Sequence, residues 1–262
     1  MKINFLAIML ALLVSGGCSK IQLAGVSTTK YLNVPGDYSG IVVDGAMTVE
    51  VSSSCDMMEI TSDSNVLPYI DIRIVDKSLV IGYEKGAKFS SGNFSTTIRL
   101  PYSTAIGSVS ISGMSVYRCM EDTSLASKLR LEARDMSSFE FGSLSASSLA
   151  LTLHGASSFV ASALDVPESS LNFTEASSAT VSGSMLKCDA VLSGASVLYP
   201  GSGSSSLSVD RFSSTLSGAS SARFHSDGVI SGTLRDASVI YYSGSAVCES
   251  VSCFTESEII RE

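Results

Sequence analysis

Hydrophobic residues alternate with polar ones through most of the second half of this chain, and the alternation is interrupted at regular intervals. Around Gly155-Ala156-Ser157, Leu151 and Leu153 lead in, Phe159 and Ala161 lead out, and polar residues fill the places between. Similar flanks surround Gly113-Met114-Ser115, Asp135-Met136-Ser137, Glu175-Ala176-Ser177, Gly194-Ala195-Ser196, Gly218-Ala219-Ser220 and Asp236-Ala237-Ser238, with a break at Pro200. A period of two marks a strand with one inward face, and the returns at three and four residues that a helix needs are absent. The serines fall at 115, 137, 157, 177, 196, 220 and 238, so successive intervals are 22, 20, 20, 19, 24 and 18 residues. Two short strands meeting at a small or Gly-like residue, repeated about every twenty residues, predict one coil of a parallel β-solenoid. Coils stacked about 4.8 Å apart make seven of them a rod of roughly 30 Å.

The first residue of each phrase reads as a left-handed corner, since Gly permits positive φ and Asp tolerates it. Glu175 fits that geometry poorly and predicts a distorted coil. The serines share the parity of the inward residues. Two structural roles are open to them: a hydroxyl ladder between coils, or local turns that bond to nearby backbone.

Before the repeats, residues 31–108 are also all-β but irregular. Ile41, Val43, Val49 and Val51 alternate around Asp44-Gly45-Ala46 as an eighth coil would, with Met47 in the place of serine. Three further strands run through Met58-Ile60, Ile70-Ile74 and Leu79-Tyr83, with a hairpin turn at Asp76-Lys77-Ser78. Residues 85–93 read as a loop, and Ile98-Leu100-Pro101 leads into the repeats. This lead-in is expected to cap the solenoid, because an open end would expose strand edges and core. The regular repeats span 109–245. Residues 246–262, where the rhythm fades, are expected to form a last cap and a mobile tail.

The first residues read differently. Lys2, an apolar run over residues 5–14, and Ser15-Gly16-Gly17-Cys18 resemble a bacterial lipoprotein signal. That resemblance implies a signal peptide over 1–17, acylation of Cys18, and a tether over 18–30. The lipoprotein signal, the lead-in ending in Leu100-Pro101 and the coils with a Gly-Ala-Ser phrase together resemble the Bacteroidota family "putative auto-transporter adhesin, head GIN domain", a domain of unknown function. The resemblance covers about residues 31–242 and rests on repeat pattern and layout; no literal Gly-Ile-Asn occurs. It implies an all-β, right-handed parallel β-helix of about twenty-residue coils with an irregular lead-in, and it supplies no catalytic residues. Surface-displayed Bacteroidota lipoproteins often carry an acidic cluster after the cysteine. Ser19-Lys20-Ile21-Gln22 has none, so the expected address is the cell envelope, on the periplasmic face of the outer membrane.

Composition narrows the partners. The 262 residues carry a formal net charge of −8, with 16% charged and 45% hydrophobic residues. No basic patch is visible, which argues against nucleic acid as a partner. Partners are expected to be the membrane, through the lipid anchor, and a glycan or another envelope protein. Arg134, His154 and Thr174 precede the corners of three successive coils, face outward and should line up as a ligand ladder for a sulfate, phosphate or sugar carboxylate. The two histidines stand too far apart for a typical zinc site, and no metal or cofactor is expected. Carbohydrate-active β-helix enzymes use clustered carboxylates on one exposed sheet. No carboxylate pair recurs in the outward register here, so a non-catalytic, adhesin-like or ligand-binding scaffold is expected. The alternatives are a carbohydrate-active enzyme and a purely structural envelope scaffold. Cys119 and Cys188 read as buried small hydrophobes. Cys248 and Cys253 either close a disulfide or remain two free thiols.

Overall fold

The computed structural model describes residues 20–34, 36–90, 92, 94–201 and 206–262. Cys18 and the proposed signal peptide lie outside the described residues.

The strands Val116–Ala133, Ser138–Leu153, Ser158–Phe173 and Ser178–Leu192 pair in parallel, each lying on the one before. Like residues stack on like: Phe139 on Phe159, Leu151 on Leu171, and Leu144 on Leu164. Each coil has three inward segments rather than the two expected. In Ser138–Leu153 the buried residues are Phe139 and Phe141, then Leu144 and Ala146, then Leu149, Leu151 and Leu153. The inward phase slips by one residue at Gly142-Ser143 and again at Ser147-Ser148, where the register with the preceding coil also shifts. An extra residue bends a strand and re-aims its side chains, so these slips turn one long strand into three sides of a coil. The interior forms one continuous apolar cluster along the rod.

The corners are tighter than a single left-handed residue. Two consecutive residues have positive φ: Asp135 at 56° and Met136 at 60°, Gly155 at 63° and Ala156 at 58°, Gly218 at 65° and Ala219 at 59°. Glu175, at 57°, is followed by Ala176 at 62°, and its flanking segments keep unshifted register with the neighbouring coil. The expected distortion is therefore absent. The energy of stacking at the corner outweighs the cost of a left-handed backbone, about 1–2 kcal/mol per residue. That stacking is a backbone ladder in which the second corner residue donates its N–H to the first corner carbonyl of the next coil. Met136 bonds Gly155 at 2.9 Å, Ala156 bonds Glu175 at 2.8 Å, and Ala195 bonds Gly218 at 2.6 Å.

Both serine roles hold together. Ser157 Oγ donates to the His154 carbonyl at 2.6 Å and accepts the Ser137 N–H at 3.3 Å. Ser220 repeats this with the Ser217 carbonyl at 2.7 Å and the Ser196 N–H at 3.2 Å. All seven phrase serines are buried.

The N-terminal end is not built in chain order. Gly40–Asp44 and Met47–Ser52 form a coil that pairs with Ser108–Ser112 and Val116–Ala133 on one side, and with Ser78–Tyr83 and Thr96–Pro101 on the other. The chain thus enters at the second layer, goes outward to make the first, and returns to continue the stack. Ile98 and Leu100 lie on the far side of the eighth coil from Val109, so they do not lead directly into the repeats as expected. Antiparallel strands cover the first layer: Met58–Asp63 on Thr96–Pro101, Ser27–Leu32 on Met58–Asp63, and Ile70–Val75 on Ser78–Tyr83. The last pair is the expected hairpin, turning at Asp76 and Lys77 with φ of 48° and 61°.

Residues 20–26 are fastened to this cap. Ile21 donates its N–H to Lys88 O at 2.7 Å and accepts from Ser90 N–H at 2.8 Å, while Ala24 and Gly25 donate to the Asp63 carboxylate at 3.0 and 2.7 Å. At the other end, Val247–Cys253 and Glu258–Arg261 add a further coil on Val229–Leu234 and Val239–Ser243. Its corner is Thr255-Glu256-Ser257, with φ of 53° and 59° at the first two positions, and Ser257 Oγ accepts the Ser238 N–H at 3.0 Å. The rhythm that fades in sequence therefore continues in space.

A candidate recognition face

The residue before each corner points outward, and stacking lines these residues up at about 4.8 Å. Register places Asp44, Ser112, Arg134, His154 and Thr174 in one row, with Arg134 and His154 donating backbone N–H groups to the Ile111 and Ala133 carbonyls below them. Two predicted members touch: His154 Nδ1 and Thr174 Oγ1 share a hydrogen bond of 2.6 Å. Arg134 is held from its own strand, where its Nε donates to Glu132 Oε1 at 2.6 Å and Nη2 also pairs with that oxygen. The guanidinium is thus paired from the neighbouring outward position while its side chain stays exposed, and Ser193, Ser217 and Arg235 continue the row beyond Thr174.

A second row lies on the segment after the corner, three residues beyond each phrase serine. Glu59, Arg99, Glu50, Arg118 and Glu140 occupy successive ladder positions. Arg99 bonds Glu59 at 3.0 Å, and Arg118 bonds Glu140 at 2.7 Å and Glu50 at 3.1 Å. The Glu140 carboxylate, and then that of Glu50, raises the Arg118 pKa above its ordinary value. Farther along, the row becomes apolar and aromatic: Val160, Thr180 and Tyr199 follow Glu140, and Arg223 lies over the ring of Tyr241 at 4.7 Å from its centre. The pairing of Leu198 with Ala222 puts Tyr199 across from Arg223. Beside them His225 contacts Ser243 at 3.1 Å and Asp227 at 3.2 Å, and Ser245 donates its N–H and its hydroxyl to the Asp227 carboxylate, each at 2.8 Å. That backbone N–H, followed by the Ser245 hydroxyl and His225, holds Asp227 below the ordinary carboxylate range. Arg118, Glu140, Val160, Thr180, Tyr199, Arg223 and Tyr241 each lie three residues after a phrase serine, so the row keeps its place despite the 24-residue interval between Ser196 and Ser220.

In the sheet ladders of the described residues, no carboxylate has another as its partner in the adjacent coil. Glu140 meets Arg118 and Val160, Asp165 meets Ser145 and Ser184, and Glu168 meets Ser148 and Lys187. Nor do three or more His, Cys, Asp and Glu side chains among the described residues converge to hold a metal ion. Cys119 and Cys188 are buried, and burial raises both thiol pKa values, that of Cys188 to about 12. Cys248 and Cys253 are free and exposed on one strand. Their ladder partners, Ile230 and Leu234, are four residues apart, which separates the two by about 13 Å, whereas a disulfide needs Cα atoms within about 7 Å. The strand does not bring them together.

Stacked parallel coils with an interior apolar cluster and paired corner residues define a β-solenoid. The chain belongs to the family described as "Putative auto-transporter adhesin, head GIN domain", which matches residues 37–246. Solved structures share the fold. A "putative adhesin" from Parabacteroides distasonis is 20% identical with a TM-score of 0.81, covering 93% of this chain and 100% of its own. One of the same description from Parabacteroides merdae is 19% identical, TM-score 0.77, with 93% and 99% covered. A "putative lipid binding protein" from P. distasonis is 12% identical, TM-score 0.77, with 93% and 100% covered. No curated protein matches the chain.

Proposed function

We propose that this protein is a non-catalytic, adhesin-like recognition module of the cell envelope, held at the periplasmic face of the outer membrane by acylation of Cys18. Its ligand on this reading is a glycan. The observation that carries it is the Tyr199, Arg223 and Tyr241 row, where two aromatic rings and a guanidinium lie on a flat sheet beside His225 and Asp227. The Tyr199 ring suits the apolar face of a sugar ring, and the Arg223 guanidinium, which lies over Tyr241 and pairs with Glu262 at 3.0 Å, suits an acidic substituent that takes the place of Glu262. The names given to the structural neighbours, adhesins foremost, agree with such a role. The separation of carboxylates by Arg118 and by hydroxyl residues supports a surface that binds over one that cleaves, since glycoside hydrolysis uses two carboxyl groups flanking one bond.

The test is a glycan array with the chain from Ser19 onward, beside Arg134→Ala, His154→Ala and Tyr241→Ala. Selective binding lost in Tyr241→Ala places recognition on the aromatic row, and loss in the first two variants places it on the corner row. Absence of binding to any glycan removes this reading and leaves a scaffold that meets other envelope proteins.

A further inference from the structure

A cavity of about 640 Å³ lies on the N-terminal cap, far along the rod from the aromatic row. Lys20, Lys85 and Lys88 line it together with Asn65 and Tyr69, and Glu84 is its one carboxylate. Three cations against one anion is an exception on a chain whose net charge is −8. The walls are built rather than loose. Glu84 donates its N–H to Tyr69 O at 2.8 Å, Ala87 closes a turn onto Glu84 O at 3.0 Å, and Asn65 Nδ2 bonds Gln22 O at 2.9 Å. Behind the loop, Phe89 packs edge-on against Tyr69 and Tyr83 at 6.4 and 5.0 Å between ring centres.

The fastening of residues 20–26 to this cap gives the groove its significance. Ile21 is bonded on both sides to the loop that carries Lys88. Two residues of chain span at most about 7 Å, so a lipid on Cys18 would leave no slack between Lys20 and the bilayer. We infer that the Lys20, Lys85 and Lys88 groove is a membrane-docking surface that takes the phosphate of anionic phospholipid headgroups and sets the rod's orientation on the bilayer. The inference rests on the acyl anchor proposed at Cys18. Each lysine held near an anionic leaflet strengthens attachment roughly fivefold, and salt weakens the effect.

The mature chain, attached by an N-terminal hexahistidine tag to vesicles containing a nickel-chelating lipid, tests the groove without depending on natural acylation. Amine acetylation followed by mass spectrometry reads each lysine. On phosphatidylglycerol vesicles Lys85 and Lys88 should label about fivefold less than on phosphatidylcholine vesicles, with Lys128 and Lys187 unchanged and the difference erased at about 0.5 M salt. In Lys85→Glu with Lys88→Glu, Lys20 should label alike on both lipids. Equal labelling of Lys85 and Lys88 on the two lipids, or a Lys20 difference that survives the double substitution, overturns the inference. Acylation is read separately from the mass of the membrane-extracted protein, so the anchor and the groove fail independently.

Discussion

At one end of the rod, both strands of the first layer are covered by antiparallel neighbours, Met58–Asp63 and Ile70–Val75. At the other end, the outer edges of Val247–Cys253 and Glu258–Arg261 have no strand partner among the described residues, and both strands are largely exposed. The two ends show two ways of managing a sheet edge. The first covers it with strands of opposite direction. The second surrounds it with charge, since Glu249, Glu256, Glu258 and Glu262 lie there and disfavour pairing with another edge. Because each coil touches chiefly its neighbours, stability should be high in the middle, intermediate under the cap and low at the open end.

Substitutions can sharpen or break that gradient. The largest effect is expected at Gly183, with φ of 123°, where an added Cβ would overlap the backbone of Leu164. Gly183→Ala should cost more than about 4 kcal/mol in urea unfolding. Gly155→Asp should cost about 1–2 kcal/mol, because Asp135 and Asp236 already occupy the same corner position with φ of 56° and 55°. Next, Phe159→Ala in the middle of the rod should cost about 3–5 kcal/mol, whereas Ile259→Ala in the open coil should cost about 1 kcal/mol. Equal costs would mean that the rod unfolds as one unit without a gradient. Ser157→Ala strands a buried N–H and should cost about 1–3 kcal/mol, against less than about 1 kcal/mol for Ser257→Ala.

The smallest effect is a pH dependence confined to the cap. Asp63 is held below the ordinary carboxylate range first by the Ala24 N–H, against the effect of burial, with Asn65 and Gly25 N–H groups adding to it. A lowered carboxylate pKa stabilises the fold above the ordinary value of about 4, and the contribution is lost as pH falls through the lowered pKa. After correction for intrinsic rates, amide exchange at Ala24 and Gly25 should accelerate on acidification below about pH 4, with the corner amides of the central coils unchanged. Uniform acceleration along the rod would remove the distinction between cap and stack.

The repeats were legible because one tripeptide carries two independent requirements at once: a left-handed backbone and a buried hydroxyl. Residues such as Phe159, Leu171 and Ile240 could be placed inward from alternation alone. The third side of each coil was not legible. Leu144 and Ala146 form too short a run to declare a period, and the slips beside them cancel the phase. Thr255-Glu256-Ser257 was missed because Thr opens it in place of Gly, Asp or Glu, although its backbone is the same. Thr174 beside His154 followed from equal spacing, but the capture of Arg134 by Glu132 depends on rotamers. The aromatic row lies three residues after each phrase serine and is equally legible by position; that Arg223 lies over the Tyr241 ring depends on rotamers.

Those unequal intervals have an evolutionary consequence. Corner intervals range from 18 to 24 residues, while the corner N–H to carbonyl distances given above stay between 2.6 and 2.9 Å. Length differences are absorbed at the bends and in the stretch between Val197–Pro200 and Leu207–Leu216, never at the corner. An insertion or deletion at a bend therefore leaves neighbouring coils in register, as a frameshift within one page leaves the next page readable. A lineage of such proteins is free to lengthen, shorten or replace one side of one coil without renegotiating the rest. Solved structures only 12–20% identical share the fold with TM-scores of 0.64–0.81.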